Sequence, residues 1–574
     1  VDIQSVIGDE LEKDIASVWR LKNHSDFAYS DGTDSERYLR AILESANDLS
    51  ARSHELEARI KDWPSEYHLT PKRSQLLSGF SFDRSLSVLE VGCGCGAITR
   101  YLGENFNQVV AVEGSIYRAR LAGERTRDLT SVSIVCAPFH KVQFLKKFDI
   151  IFCIGVLEYS ASFIDGNDPY DAALRMFSDM LTPHGTLVVA IENQFGLKYF
   201  GGVREDHLGT RFGGLEGYHR NPGKVRTFGK LELESRLRKY FPQVLFYYPF
   251  PDYKIPDCVI SSEFLMSGMA GELVSKMGAR DYAGPTNFLW DEMATILELG
   301  RNNMLDVLSN SFLVVAGCNA LKGVSFDQLA IMFSSGRKPT YATQTKILKG
   351  ATGGVCVEKR KIGGNFANES DLLRLFDTND EWILAHSVLT QVTLRSLNQQ
   401  SSLAEIFEPC KKWIEFLFQA SEFVNGVRRI DGAHVDSIWG NAYIDGEECK
   451  IIDREWSWKG KIRTNALVIR AIYDFLCRTE IGSPRAESLS TQRGKTIIKN
   501  IAKTFGVHLE TDDFAEFIYL ESEISLIVSG ASKSSQVFYL RWFLTHRPTR
   551  RFFRRVRTSV IDVMTQLKRK LWTA

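Results

Sequence analysis

Residues 87–97 read Ser87-Val88-Leu89-Glu90-Val91-Gly92-Cys93-Gly94-Cys95-Gly96-Ala97, a strand-forming run that breaks into glycine at every second position. A turn without Cβ atoms lets a ligand approach the backbone, and the helix N-terminus behind it offers free N–H groups. Gly92, Gly94 and Ala97 also satisfy G-x-G-x-x-A, the spacing of a dinucleotide turn, so a nicotinamide or flavin enzyme stays open on spacing alone. Glu90 weighs against it. A pyrophosphate gains nothing from an acid at the strand end, whereas a cationic amino-acid ligand does.

Outward from the turn, Leu86–Val91, Val109–Val112, Val132–Val135, Phe148–Ile154, Thr186–Ile191 and Val244–Tyr248 read as strands alternating with amphipathic segments. That alternation predicts an α/β fold, a doubly wound sheet over 81–255. Ahead of it, 1–80 reads as a helical element: Leu39, Ile42, Leu49, Leu56 and Ile60 recur at mostly helical spacing, and Trp63-Pro64 closes the run. The glycine- and charge-rich stretch from Phe195 to Gly229 is long for a connection and is expected to cover a site. Residues 256–335 read as a bridging region. Strand-like Thr345–Leu348 and Val355–Ile362 open a separate α+β domain over 336–535, and 536–574 reads as a basic C-terminal helix.

In order, these motifs resemble the class I S-adenosylmethionine-dependent methyltransferases, over about Leu86 to Phe250. The resemblance implies a Rossmann-like domain and S-adenosylmethionine as cofactor. It places Glu90, Gly92, Cys93, Gly94 and Gly96 at the methionine end of that cofactor. Glu113 and Gly114, closing the second strand, fall at the ribose hydroxyls, and Ala137 at the adenine, where Cys136 stands in place of a common Asp. Ile154 closes the fourth strand beside the cofactor.

Methyl transfer needs an acceptor held near the methyl group and, for a hydroxyl, a group to take its proton. Ile191-Glu192-Asn193-Gln194-Phe195-Gly196-Leu197-Lys198-Tyr199-Phe200 leads into Glu205-Asp206-His207 at the expected C-terminal edge of the sheet. His207 is the expected general base, because free imidazole titrates near neutrality. Glu158 and Glu192 are alternatives for base or acceptor binding. The stretch is similar to ones in methyltransferase domains of bacterial surface-polysaccharide synthesis, which implies a sugar or phosphosugar acceptor on a lipid-linked glycan and no nucleic acid.

In the second domain, His434-Val435-Asp436 with Asn441 gives H-x-D-x-x-x-x-N, and Asp453 follows a strand. In phosphoryl transfer such an Asp orients a hydroxyl, while Asn and a second Asp hold magnesium. The spacing resembles kinase-like phosphotransferases, which implies ATP and magnesium, with Asp436 catalytic, Asn441 and Asp453 as metal ligands, Lys359 on the phosphates and Glu369 as its helix partner. Arg454-Glu455-Trp456 after Asp453 departs from that family. The combination resembles bifunctional methyltransferase-kinases of O-antigen synthesis. A non-catalytic glycan-assembly scaffold and an NAD-dependent sugar oxidoreductase are the competing readings.

The whole chain of 574 residues is 44% apolar and 25% charged, with a formal charge of +1, a globular composition with no global pull toward nucleic acid. Its ten cysteines show no CxxC pair and no zinc spacing, which suits a reducing cytoplasm. No uncharged apolar stretch reaches the roughly 18 to 20 residues of a membrane span, and no signal peptide is read; a chain beginning at Val1 is expected to be trimmed from something longer. Phe552, Val556, Val560, Met564, Leu567 and Leu571 share one helical face, with arginines and lysines at both ends. A peripheral site on the inner face of the cytoplasmic membrane, or against glycan-assembly proteins, follows as an expectation.

Overall fold

A computed structural model describes residues 3–8, 10–15, 17–22, 32–219, 225–284, 288, 290–319, 321–350, 353–362, 370–479, 485–490 and 494–546. The chain divides into two compact units, one of residues 1–286, 295–333 and 345–353, the other of 287–294, 334–344 and 354–574.

The first unit is built on strands β1 Leu11–Ile15, β2 Val18–Leu21, β3 Ser87–Val91, β4 Gln108–Glu113, β5 Val132–Cys136, β6 Phe148–Ile154, β7 Leu181–Glu192, β8 Gln243–Phe250, β9 Cys258–Ser261, β10 Ser311–Gly317 and β11 Ala330–Phe333. Their order is β1-β2-β5-β4-β3-β6-β7-β10-β8-β9-β11. From β5 to β7 neighbours run parallel, and β10 runs antiparallel to both β7 and β8. The central strands are near-continuous apolar runs because a parallel sheet is covered on both faces; Val88, Leu89, Val91, Ile150, Ile151 and Phe152 are all buried. The six strands expected between 86 and 248 all form.

Three expectations are corrected. Residues 256–335 do not merely bridge: Ser311–Gly317 is the strand between β7 and β8, buried along its whole length. The segment 1–80 is not only helical, since β1 and β2 make a hairpin whose second strand pairs parallel with β5, Val18 opposite Ile134. Charged Glu12, Lys13 and Asp14 on so short an edge strand hide its period in the sequence. Trp63-Pro64 likewise opens a helix, Trp63–Leu69, rather than closing one. Asp62 caps it by accepting from the Ser65 N–H, and proline is tolerated in a first turn.

In the second unit, Val355–Lys361 pairs antiparallel with Thr378–Glu381, and Ala442–Asp445 with Glu448–Ile451. Helices Thr464–Thr479, Gly494–Thr504 and Thr511–Ser529 enclose a core around Trp413, Trp439 and Phe475. Helix Lys533–Thr545 adds Leu540, Phe543 and Leu544 to that core, so residues 536–545 are part of this unit and not of a free C-terminal helix. The amphipathic face from Phe552 to Leu571 and the residue Glu369 lie outside the described residues.

Candidate functional site

At the C-terminal edge of β3, Gly92, Gly94 and Gly96 all take left-handed φ, of +72°, +56° and +85°. A Cβ on Gly96 would stand 2.8 Å from the Cα of Ala122, so only glycine lets the turn lie against helix Ile116–Arg125. The Glu113 carboxylate closes this turn from β4, accepting the Gly94 N–H at 2.8 Å and the Ser115 N–H at 3.0 Å.

A cleft opens above the turn. Glu90, Gly92, Cys93, Gly94, Glu113, Gly114, Ala137 and Ile154 line it, as the motifs imply. Gly96 is absent from the lining, and its part is the packing just described. Glu90 is buried with Oε2 lacking a hydrogen-bond partner. Burial raises its carboxyl to about 7, against the partial pull of the Thr99 hydroxyl and the Arg73 guanidinium. Burial also pushes the Cys93 thiol well up, so it stays protonated and unreactive. The buried acid and the Cβ-free turn suit a ligand with an ammonium group and a backbone-hugging chain, and Glu113 beside Gly114 offers acceptors to hydroxyls. The residues fit S-adenosylmethionine.

Beyond Ile154 and Gly155 the cleft reaches Glu158, Tyr159, Asp206, His207, Tyr253 and Lys254. The His207 Nε2 lies 3.3 Å from Glu192 Oε2 and 4.0 Å from Glu158 Oε1, while Nδ1 meets the Tyr159 hydroxyl at 2.9 Å. Lys254 pairs with Glu192 and lies 3.1 Å from Asp206; Lys198, wholly buried, pairs with Asp206 at 2.7 Å and Asp252 at 3.5 Å. Desolvation disfavours charge on every one of these groups, and their mutual attraction decides the outcome. Glu192 is held well below the usual carboxylate range by Lys254 and His207 despite its burial. Glu158 is raised to about 8, by burial first and by the Glu192 charge second.

His207 corrects the sequence expectation. Burial lowers its basicity, but Glu192, Glu158 and Glu205 outweigh that and bring it to about 9. An imidazole so held already carries its proton at neutral pH, so it cannot serve alone as a general base. Glu158, Glu192 and His207 do gather in one place, as anticipated. Sequence reasoning missed Asp252, Tyr253 and Lys254, although Pro251-Asp252-Tyr253-Lys254-Ile255-Pro256 is a polar break at the end of β8, on the edge where open α/β sheets bind ligands. It also missed Trp63 and Tyr67, which line the cleft from the helix it had ended.

The second unit brings Asp436, Asn441, Asp453 and Lys359 into one neighbourhood. The Asn441 amide donates to the Asp436 backbone carbonyl and to Oδ2, each at 3.0 Å, and Lys359 pairs with Asp453 and, at 3.3 Å, with Glu455. Arg470 takes Asp436 Oδ1 at 2.7 Å and is itself balanced by Glu521 at 2.9 Å. Lys359 and Asp453 stand here as an ion pair. Asp436 is held from both sides, Oδ1 by Arg470 and Oδ2 by Asn441.

The strand order sets the first unit apart from a dinucleotide fold, whose six strands run 3-2-1-4-5-6 without an inserted antiparallel strand like β10. It is a Rossmann-like domain with a glycine turn and an acid closing each of β3 and β4. Residues 89–189 match the family model of a methyltransferase domain. The NAD-dependent reading is set aside on both grounds. No curated protein matches the chain. Among solved structures, the chain is similar to the N-methyltransferase NodS of Bradyrhizobium japonicum WM9 in complex with S-adenosyl-L-homocysteine, with 20% identity over 28% of this chain and 74% of that one, at a TM-score of 0.20. The mycolic acid cyclopropane synthase CmaA1 is 16% identical over 49% and 98% of the two chains, at a TM-score of 0.26.

Proposed function

We propose that the first unit methylates a hydroxyl of a sugar or phosphosugar at the end of a lipid-linked bacterial surface glycan of the O-antigen type. One observation carries the reading: the cofactor cleft ends at the carboxyl of Glu158, with Glu192 grouped close to it and Trp63, Tyr67 and Tyr253 on the cleft walls. Carboxylates accept hydrogen bonds from neighbouring hydroxyls, and flat aromatic faces suit the apolar face of a sugar ring. S-adenosylmethionine, bound along the turn, supplies an electrophilic methyl group on its sulfonium sulfur. Glu90 and the Gly92–Gly96 turn hold the amino-acid end, and Glu113 the ribose. Lys254 fixes the Glu192 carboxylate, and Tyr159 orients His207 beside it. The test is transfer of radiolabelled methyl from S-adenosylmethionine to glycan extracts and to a panel of sugars and phosphosugars. Label in a hydroxyl ether of a sugar supports the reading, and label only in amines or lipids refutes it.

For the second unit we propose a kinase-like module, supported by the Lys359–Asp453 pair and by Asn441 bracing Asp436. The hold of Arg470 on Asp436 favours a module that assembles glycan enzymes over one that phosphorylates the terminal sugar. A rise in melting temperature of the full chain with ATP and magnesium, absent in Asp453→Asn, tests for nucleotide binding. Attachment to an anionic membrane surface through residues 552–571 is proposed from their sequence pattern, and salt-sensitive co-sedimentation with anionic vesicles tests it. No described helix is long and apolar enough to cross a membrane.

A further inference from the structure

At the far end of the cofactor cleft the acidic side chains outnumber the basic ones. Lys198 and Lys254 match Asp206 and Asp252, and the Tyr199 and Tyr282 hydroxyls complete those two carboxylates. Glu158, Glu192 and Glu205 remain, all buried, with one imidazole between them and a share of Lys254. Glu205 satisfies one oxygen on the His207 and Leu208 backbone N–H groups. Glu158 satisfies neither: both oxygens are buried without a hydrogen-bond partner, on a side chain with no exposed surface that lines the cleft. A buried carboxyl without donors can ionise only where a cation completes it, and Glu158 is placed for one.

We propose that Glu158, Glu192 and His207 bind a divalent transition-metal cation at the acceptor end of the cleft. One ligand atom from each of the three lies within 4.8 Å of the other two. The groups are oriented for it. Lys254 occupies one oxygen of Glu192 and leaves Oε2 facing His207, and the Tyr159 hydroxyl at Nδ1 leaves Nε2 turned toward both carboxylates. An outer hydrogen bond on the distal nitrogen is what metal-bound histidines require. One imidazole with two carboxylates suits manganese, iron or zinc over calcium, which prefers oxygen alone. With three protein ligands, positions stay open toward the cleft for the oxygens of an acceptor, so the metal would select a hydroxylated or phosphorylated substrate.

This assignment rests on the cleft being the methyltransferase site, and the test separates the two claims. Manganese is titrated into the full chain and followed by electron paramagnetic resonance, while S-adenosylhomocysteine binding is measured by calorimetry on the same samples. About one manganese per chain is expected. Glu158→Gln should weaken it by about tenfold to a hundredfold, with S-adenosylhomocysteine affinity retained as the sign of a folded cleft. His207→Gln should do the same, and it serves in place of the first variant should that one lose the cofactor product. A protein that binds S-adenosylhomocysteine but no manganese at millimolar concentration, or variants that bind manganese like the parent, overturns the metal site. Manganese binding without S-adenosylhomocysteine binding upholds the metal site and overturns the methyltransferase reading.

Discussion

Glu113 reaches from the end of one strand to accept the backbone N–H of Gly94, 2.8 Å away in the turn that follows its neighbour. The acid expected to meet a ribose therefore also holds the glycine turn in shape. Glu113→Ala removes ligand acceptors and leaves the Gly94 and Ser115 N–H groups without that partner, so S-adenosylhomocysteine binding should weaken by about 1.5–3 kcal/mol. Calorimetry on a variant with unchanged circular dichroism measures this, and unaltered affinity would contradict the role.

The glycines differ in what a methyl group would meet. At Gly96 a Cβ strikes the backbone of Ala122, and φ is +85°, so Gly96→Ala should cost about 2–4 kcal/mol of stability in urea unfolding. At Gly94 it meets only the guanidinium end of Arg118, at 3.0 Å. Gly94→Ala should cost about 1 kcal/mol and act instead on the cofactor, whose path it narrows.

Glu90 gives the site a pH dependence of known sign. Its carboxyl is raised from a usual 4.5 to about 7, so between these values the folded protein keeps a proton that the unfolded chain has released. Stability conferred by that proton is complete below pH 4.5 and is lost as pH rises toward 7, on the order of 3 kcal/mol in all. Relative to Glu90→Gln, the parent should lose stability between pH 5 and 8. Its affinity for S-adenosylhomocysteine should rise over the same range, because the ligand ammonium pairs with the ionised acid. Parallel pH curves for the two proteins would refute the assignment.

In the second unit, Arg470 joins Asp436 to Glu521. Arg470→Met strands two largely buried carboxylates, and a loss of about 2–4 kcal/mol is expected. Chemical denaturation monitored by tryptophan fluorescence, with Trp439 in the core nearby, reads it directly. A stability change under 0.5 kcal/mol, the range of an ordinary surface substitution, would show that the pairing carries little.

What the chain determined by itself is the local part. Buried parallel strands are continuous apolar runs, and a glycine turn between strand and helix has no other economical composition, so 87–97 and the strands up to β8 are legible one segment at a time. The acids at the strand ends are legible with them. Only the tertiary structure decided that β10, some sixty residues beyond β8, completes the sheet, because pairing between distant strands leaves no periodic trace in either. It decided likewise that Lys254, Glu158, Glu192 and His207 meet. They come from four separate segments, and the basicity of each is set by its burial and by charges brought in from other segments, such as Asp206 at Lys254 and Glu192 at His207, which no neighbour in sequence encodes.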